Sequence, residues 1–145
     1  NSFQTFYKSN GLLNNLANLV YEGSDGRVYV ACQGGLVAID QRNTSTYRFP
    51  EPYDEILVFD AISDETMSIL ATNGKGILYH RENEPETTLS LGGVDQNFVR
   101  CIEGIPASYL AGTKKGLFEI HAGDQVRVIN DSLSVNAIVH HGSTY

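Results

Sequence analysis

Residues 71–79 read Ala-Thr-Asn-Gly-Lys-Gly-Ile-Leu-Tyr, and the chain contains two further versions of this stretch. One spans residues 31–39 and the other residues 111–119, so the alanines that open the three versions are about 40 residues apart. The glycines that restart the apolar run keep nearly the same step, and they are Gly35, Gly76 and Gly116. Short apolar runs that return at a fixed step around glycine indicate one small sheet repeated along the chain.

Each repeat contains four short apolar runs separated by turn residues, which predicts four antiparallel strands. In the first repeat Asp25-Gly26 is a pair favoured in tight hairpins, and Gln33-Gly34-Gly35 supplies the next turn. No window keeps the 3.6-residue period of a helix for long. A repeat of about 40 residues that forms four strands is typical of one β-propeller blade. The sequence therefore predicts an all-β fold, a propeller fragment of about three four-stranded antiparallel blades with partial blades at each end.

The repeat also divides the chain into segments. We predict the outer strand of a preceding blade over residues 1–10 and the start of a further blade over residues 131–145, with its inner strand at residues 135–140. Because a closed propeller needs at least about four blades, we expect this chain to be part of a larger ring. The three full blades are predicted over residues 11–52, 53–93 and 94–130.

Composition argues against several classes of function. The formal net charge of −7 disfavours nucleic-acid binding, because a protein that neutralises phosphates needs a basic face. No run of about 18 apolar residues occurs, so no segment is predicted to insert into a membrane, and the chain does not open on a signal peptide. Cys32 and Cys101 fall at different places in different repeats. We interpret both as buried apolar residues without a bridge between them.

The first repeat carries a recognisable series of motifs. Asn10-Gly11-Leu12 leads into the inner strand, Ser24-Asp25-Gly26 forms a hairpin, and Gly34-Gly35-Leu36 forms the next turn. This series resembles the two-component-regulator propeller repeat, and the resemblance extends over essentially the whole chain. In that family many such repeats form the periplasmic sensor region of membrane histidine kinases, often hybrid ones from Bacteroides-like gut bacteria that respond to polysaccharide fragments.

The resemblance implies a function for the chain. It would be a non-catalytic, periplasmic, ligand-sensing segment of a sensor histidine kinase that binds an oligosaccharide and packs against other blades, without a cofactor or a metal ion. Two other classes stay open from the residues alone: a propeller enzyme of the lyase or glycosidase type, and a scaffold for protein interactions. The unpaired strand edges of the terminal blades also predict self-association.

The wiring of a propeller indicates where a ligand would bind. Turns between second and third strands emerge on the same face as the loops between blades, and we predict the ligand site on that face. Lysines in these turns stand out in an acidic chain, so neighbouring lysines would give a local preference for anions. The other interpretation is that lysines at hairpin tips are simply well solvated. The predicted binding residues are Gln33, Asn73, Lys75, Lys114 and Lys115 from the turns, and Asn15 and Tyr53 from the loops.

Overall fold

The computed structural model describes residues 17–139, apart from residues 24, 42, 65 and 66. The described residues form β-strands and no helix. The described residues therefore contain no helix that is long and apolar enough to cross a membrane. The strands in chain order are β1 (Ala17–Glu22), β2 (Val28–Cys32), β3 (Gly35–Asp40), β4 (Asn43–Arg48), β5 (Val58–Asp64), β6 (Met67–Thr72), β7 (Ile77–Arg81), β8 (Thr87–Leu89), β9 (Val99–Ile105), β10 (Ser108–Thr113), β11 (Gly116–His121) and β12 (Gln125–Asn130).

Each group of four consecutive strands forms one antiparallel sheet, in the orders β1-β2-β3-β4, β5-β6-β7-β8 and β9-β10-β11-β12. The first strands of the sheets are neighbours, β1 beside β5 and β5 beside β9. The sheets therefore radiate from their first strands, as propeller blades do. This confirms the predicted fold. We call the sheets blades 1, 2 and 3, and their strands lie within residues 11–52, 53–93 and 94–130 respectively.

Apolar side chains fill the space between neighbouring blades, and blade 2 contributes to both junctions. Leu70 and Leu78 are cross-strand partners that pack in the cluster shared with blade 1, whereas Ala71 and Ile77 pack in the cluster shared with blade 3. All four side chains are fully buried. Burying a leucine or isoleucine contributes about 1.5–3 kcal/mol. The run in β6 is apolar without alternation because both faces of the blade are covered.

A buried threonine fixes the turn between the second and third strands of blades 2 and 3. The Thr72 hydroxyl donates to the Gly76 carbonyl at 2.8 Å and accepts from the Lys75 amide at 3.0 Å. Thr113 makes the same two bonds in blade 3, each at 3.0 Å. Cys32 takes the equivalent position in blade 1 and is also fully buried. A small side chain is required there because the position is closed to solvent on every side.

Strand pairing corrects the alignment of the three repeats in blade 3. Ala31 pairs with Leu36, and Ala71 occupies the same position in blade 2. In blade 3 the equivalent residue is Gly112, because Gly112 pairs with Leu117 just as Ala31 pairs with Leu36. The alignment of Ala111 with the other two alanines is therefore wrong by one residue. Glycine is needed there because an added Cβ would lie 2.5 Å from the Sγ atom of Cys101 and from a methyl group of Val135.

The segment after blade 3 differs from its predicted form. The sequence predicts an inner strand that includes residues 135–139, but these residues form no strand. The Val135 amide donates to the Thr113 carbonyl at 2.9 Å, which ties the segment to the last turn of blade 3. A strand requires a ladder of hydrogen bonds with a neighbouring strand, and none of the described strands forms such a ladder with this segment. The predictions for residues 1–10 and 140–145 fall outside the described residues.

Candidate functional site

Backbone hydrogen bonds join the turn of each blade to the turn of the next blade. The Gly34 amide in the turn of blade 1 donates to the Ile56 carbonyl at 2.9 Å. The next carbonyl, that of Leu57, accepts from the Asn73 amide in the turn of blade 2 at 3.2 Å. The Asn73 side-chain carbonyl in turn accepts from the Leu57 amide at 2.9 Å. Two consecutive loop residues therefore hold the turns of blades 1 and 2 together.

The same arrangement joins the turns of blades 2 and 3. The Asn97 carbonyl accepts from the Gly74 amide at 3.1 Å and from the Gly76 amide at 2.9 Å. The Phe98 carbonyl accepts from the Lys114 amide at 3.0 Å. The three turns consequently form one continuous row, which we call the turn face. It contains the turn residues that are predicted from the sequence to bind a ligand, namely Gln33, Asn73, Lys75, Lys114 and Lys115.

The predicted site residues differ in what their side chains do. Lys75 and Lys115 are exposed, and within the described residues neither ammonium group forms an ion pair. The Lys114 ammonium lies 3.9 Å from the Asp95 carboxylate. Tyr53 is half-buried and packs against the apolar cluster between blades 1 and 2, so it serves packing. Asn15 lies outside the described residues.

An aromatic and cationic cluster lies beside this row, and it was not among the sites predicted from the sequence. The rings of Phe59 and Phe98 are 5.3 Å apart and tilted by 36°. The Arg100 guanidinium lies 5.9 Å and the Lys114 ammonium 5.7 Å from the centre of the Phe98 ring. We call these four residues the Phe98 platform. Two cations over one ring give a positively charged spot on an acidic protein.

Irregular strand pairing places two members of the platform. Phe59 is the extra residue between paired Val58 and Asp60 in β5. Arg100 is the extra residue between paired Val99 and Cys101 in β9. A β-bulge of this kind turns the side chain of the extra residue away from the regular ladder direction. The equivalent irregularity in β1 lies between residues 17 and 19, so the bulge recurs in each blade.

Hydrogen bonds to the segment after blade 3 fix the orientation of Arg100. Its Nη1 atom donates to the Ser134 hydroxyl at 2.7 Å and to the Asn136 side-chain carbonyl at 2.6 Å. The guanidinium plane is therefore held in place before any ligand arrives. Such a preorganised group loses less conformational entropy when it binds an acidic or hydroxyl-rich ligand.

The histidines of the described chain belong to structural contacts. His80 Nδ1 lies 2.7 Å from a Glu86 carboxylate oxygen, whose other oxygen accepts from the Tyr47 hydroxyl at 2.8 Å. The His121 ring lies 3.1 Å from Glu119 on blade 3. Within residues 17–139 no group of three or more His, Cys, Asp or Glu side chains is arranged to hold a metal ion. The Phe98 platform, in contrast, offers ring faces and hydrogen-bond donors to a ligand.

Comparisons with known proteins agree with the fold. No protein-family model and no curated protein matches the chain. The extracellular domain assigned to the hybrid two-component system BT3049 of B. thetaiotaomicron matches with a TM-score of 0.71 and 18% identity, over 88% of this chain and 20% of that one.

Two structures of the extracellular domain of BT4673, from the same organism, also match. One is assigned to a one-component and the other to a hybrid two-component system. Their TM-scores are 0.62 and 0.61 at 17% identity, over 79% and 81% of this chain and 16% and 17% of theirs. The chain thus spans a fifth or less of each of these three structures. The resemblance to two-component-regulator propellers is confirmed at the level of the fold.

Proposed function

We propose that this chain is a non-catalytic, ligand-sensing part of a propeller in the extracytoplasmic region of a two-component sensor histidine kinase, and that its turn face binds glycan fragments. The fold it shares with extracellular domains of two-component systems supports the sensing role. The Phe98 platform carries the proposal about the ligand. Aromatic ring faces suit the C–H face of a sugar ring, and cations beside them suit hydroxyl or carboxylate groups.

The platform also suggests which glycans bind best. Arg100 and Lys114 both lie over the Phe98 ring, and the Asp95 carboxylate lies 3.9 Å from the Lys114 ammonium. The exposed ammonium groups of Lys75 and Lys115 add positive charge to the same face. Acidic oligosaccharides should therefore bind more tightly than neutral ones of equal length.

Calorimetric titration with oligogalacturonate and maltooligosaccharides of matched length tests the proposal. Phe59→Ala removes an exposed ring and should weaken binding about tenfold, as expected for the loss of about 1.4 kcal/mol of ring contact. Arg100→Gln should remove most of the preference for the acidic oligosaccharide. Arg81→Gln, which changes an exposed arginine at the end of β7 farthest from the turn face, should have no effect.

Three results would contradict the proposal. One is the absence of binding to either oligosaccharide by the folded chain. Another is an equal loss of affinity in Arg81→Gln and Arg100→Gln. The third is cleavage of an oligosaccharide, which would favour the propeller-enzyme alternative.

A further inference from the structure

A cavity of about 450 Å³ opens between blades 2 and 3 at the ends of the strands farthest from the turn face. The turns between first and second strands lie at this end of both blades. We call this cavity the inter-blade cleft. The lining residues that matter for its chemistry are Ile62, Met67, Tyr79, Tyr109, Ile120 and Asp124.

At the junction between blades 1 and 2, larger side chains fill the place that corresponds to the cleft. There the cross-strand partners Tyr21 and Tyr29 stack with ring centres 5.3 Å apart. The strand register places Ile62 and Ile69 at the same two positions in blade 2. Shorter side chains thus face blade 3, and both of them line the cleft. Gly104 on the opposite wall adds no side chain, and a Cβ built there would come no closer than 4.0 Å to Ile62.

Hydrogen bonds already use the protons of the hydroxyl groups in the cleft. The Tyr79 hydroxyl donates to the Asp124 carboxylate at 3.0 Å and also bonds to the Tyr109 hydroxyl. A phenol has one proton, so Tyr109 is the donor to Tyr79. The Ser108 hydroxyl donates to Glu119 at 3.1 Å. Burial raises the pKa of Tyr109 to about 12, so its phenol keeps its proton at neutral pH. The remaining capacity of these groups is to accept hydrogen bonds.

The carboxylates at the mouth of the cleft also favour a ligand that donates hydrogen bonds. Asp64 from blade 2 and Asp124 from blade 3 are both exposed carboxylates in the lining. The ring of His121 lies 3.1 Å from Glu119. Of the described residues that line this cavity, none is a lysine or an arginine. A ligand therefore meets acceptors and negative charge at the rim and hydrocarbon along the wall.

We propose that the inter-blade cleft binds a small organic ammonium ion with an apolar body. The ammonium group would donate to Asp124 and to the tyrosine oxygens, while the hydrocarbon would cover Ile62, Met67 and Ile120. A neutral alcohol of the same shape supplies one donor and no charge, and a carboxylate would be repelled. This site is separate from the turn face and independent of glycan binding.

Titration of the chain with 2-phenylethylamine, 2-phenylethanol and 3-phenylpropanoate tests this inference. The amine should bind saturably to one site, the alcohol at least about fivefold more weakly and the carboxylate least of all, as expected for one partly exposed ion pair. Asp124→Asn keeps an oxygen for Tyr79 and removes the charge, so it should weaken amine binding about fivefold. Asp131→Asn, an exposed carboxylate outside the cleft, should leave it unchanged.

Ile62→Tyr provides a second variant, because it introduces the residue that blade 1 carries at the equivalent position. It fills the cleft without changing any charge and should abolish amine binding. The inference is overturned if the folded chain binds the amine and the alcohol equally or binds neither. It is also overturned if Asp131→Asn weakens binding as much as Asp124→Asn, or if Ile62→Tyr binds the amine as the unchanged chain does.

Discussion

Gly112 shows how a single residue limits the packing of a blade. Its backbone does not have the positive φ that favours glycine, so the constraint is one of space. An added Cβ would lie 2.5 Å from the Cys101 Sγ atom and from a Val135 methyl group. The residue thus lets the segment after blade 3 lie directly on the sheet.

Gly112→Ala should lower the free energy of unfolding by about 1–3 kcal/mol, the usual cost of overpacking a closed site. Urea denaturation followed by circular dichroism measures this. Gly104→Ala is a matched control, since the Cβ added there has its nearest contact at 4.0 Å and should change the free energy by less than about 0.5 kcal/mol. Equal effects of the two substitutions would show that space at Gly112 is not the limiting factor.

At the scale of single residues, the sequence was enough to place the turn residues but not the residues of the Phe98 platform. Lys75 and Lys114 could be assigned to turns because glycine at a fixed step marks where each turn must be. Phe59 and Arg100 could not be assigned to a site, because a β-bulge of ordinary residues leaves no mark of its own in the sequence. Comparing the inner strands would have revealed that the two residues stand 41 positions apart at the same place in the repeat.

At the scale of strands and blades, polar side chains also cross the junction between blades 1 and 2. The Glu86 side chain is only 1% exposed, and its carboxyl group is held by His80 at 2.7 Å and by the Tyr47 hydroxyl at 2.8 Å. Burial raises the pKa of Tyr47 to about 12. The contact links β4 of one blade to β7 and the start of β8 in the next. Its partners belong to different repeats, so the repeat pattern predicted the strands without predicting this contact.

His80→Leu should lower the free energy of unfolding by about 2–3 kcal/mol, because it leaves a buried carboxyl group with one partner fewer. Thermal and urea unfolding both measure the loss. The triple variant His80→Leu, Glu86→Met and Tyr47→Phe should recover most of it, since all three polar partners of the contact are then replaced by apolar groups. His121→Leu, at a half-exposed pair, should cost less than about 1 kcal/mol. A triple variant as unstable as His80→Leu would contradict this account.

At the scale of the whole molecule, blade 3 leaves apolar side chains exposed along its outer strand. Val128 is 54% exposed on β12, and Leu133 is 58% exposed just after it. Strand β12 has β11 on one side and no described strand on the other. Free strand edges with apolar side chains are the usual sites of association between chains. We therefore propose this edge as the place where the predicted self-association would occur.

Light scattering should show species larger than a monomer at about millimolar concentration, and Val128→Lys should shift the population towards monomers because charge on an edge strand opposes pairing. Val94→Lys is the control, since Val94 is 82% exposed in a loop away from any strand edge. A strictly monomeric chain at all concentrations, or an equal effect of the two lysines, would contradict the prediction.

The paired carbonyl groups of Ile56 and Leu57, and of Asn97 and Phe98, have a mechanical consequence. Each pair is covalently continuous, yet its two members are anchored in different blades. If one blade tilts, these main-chain hydrogen bonds should transmit the tilt to the neighbouring blade. A ligand bound at one turn would therefore be expected to displace the neighbouring turns through these hydrogen bonds.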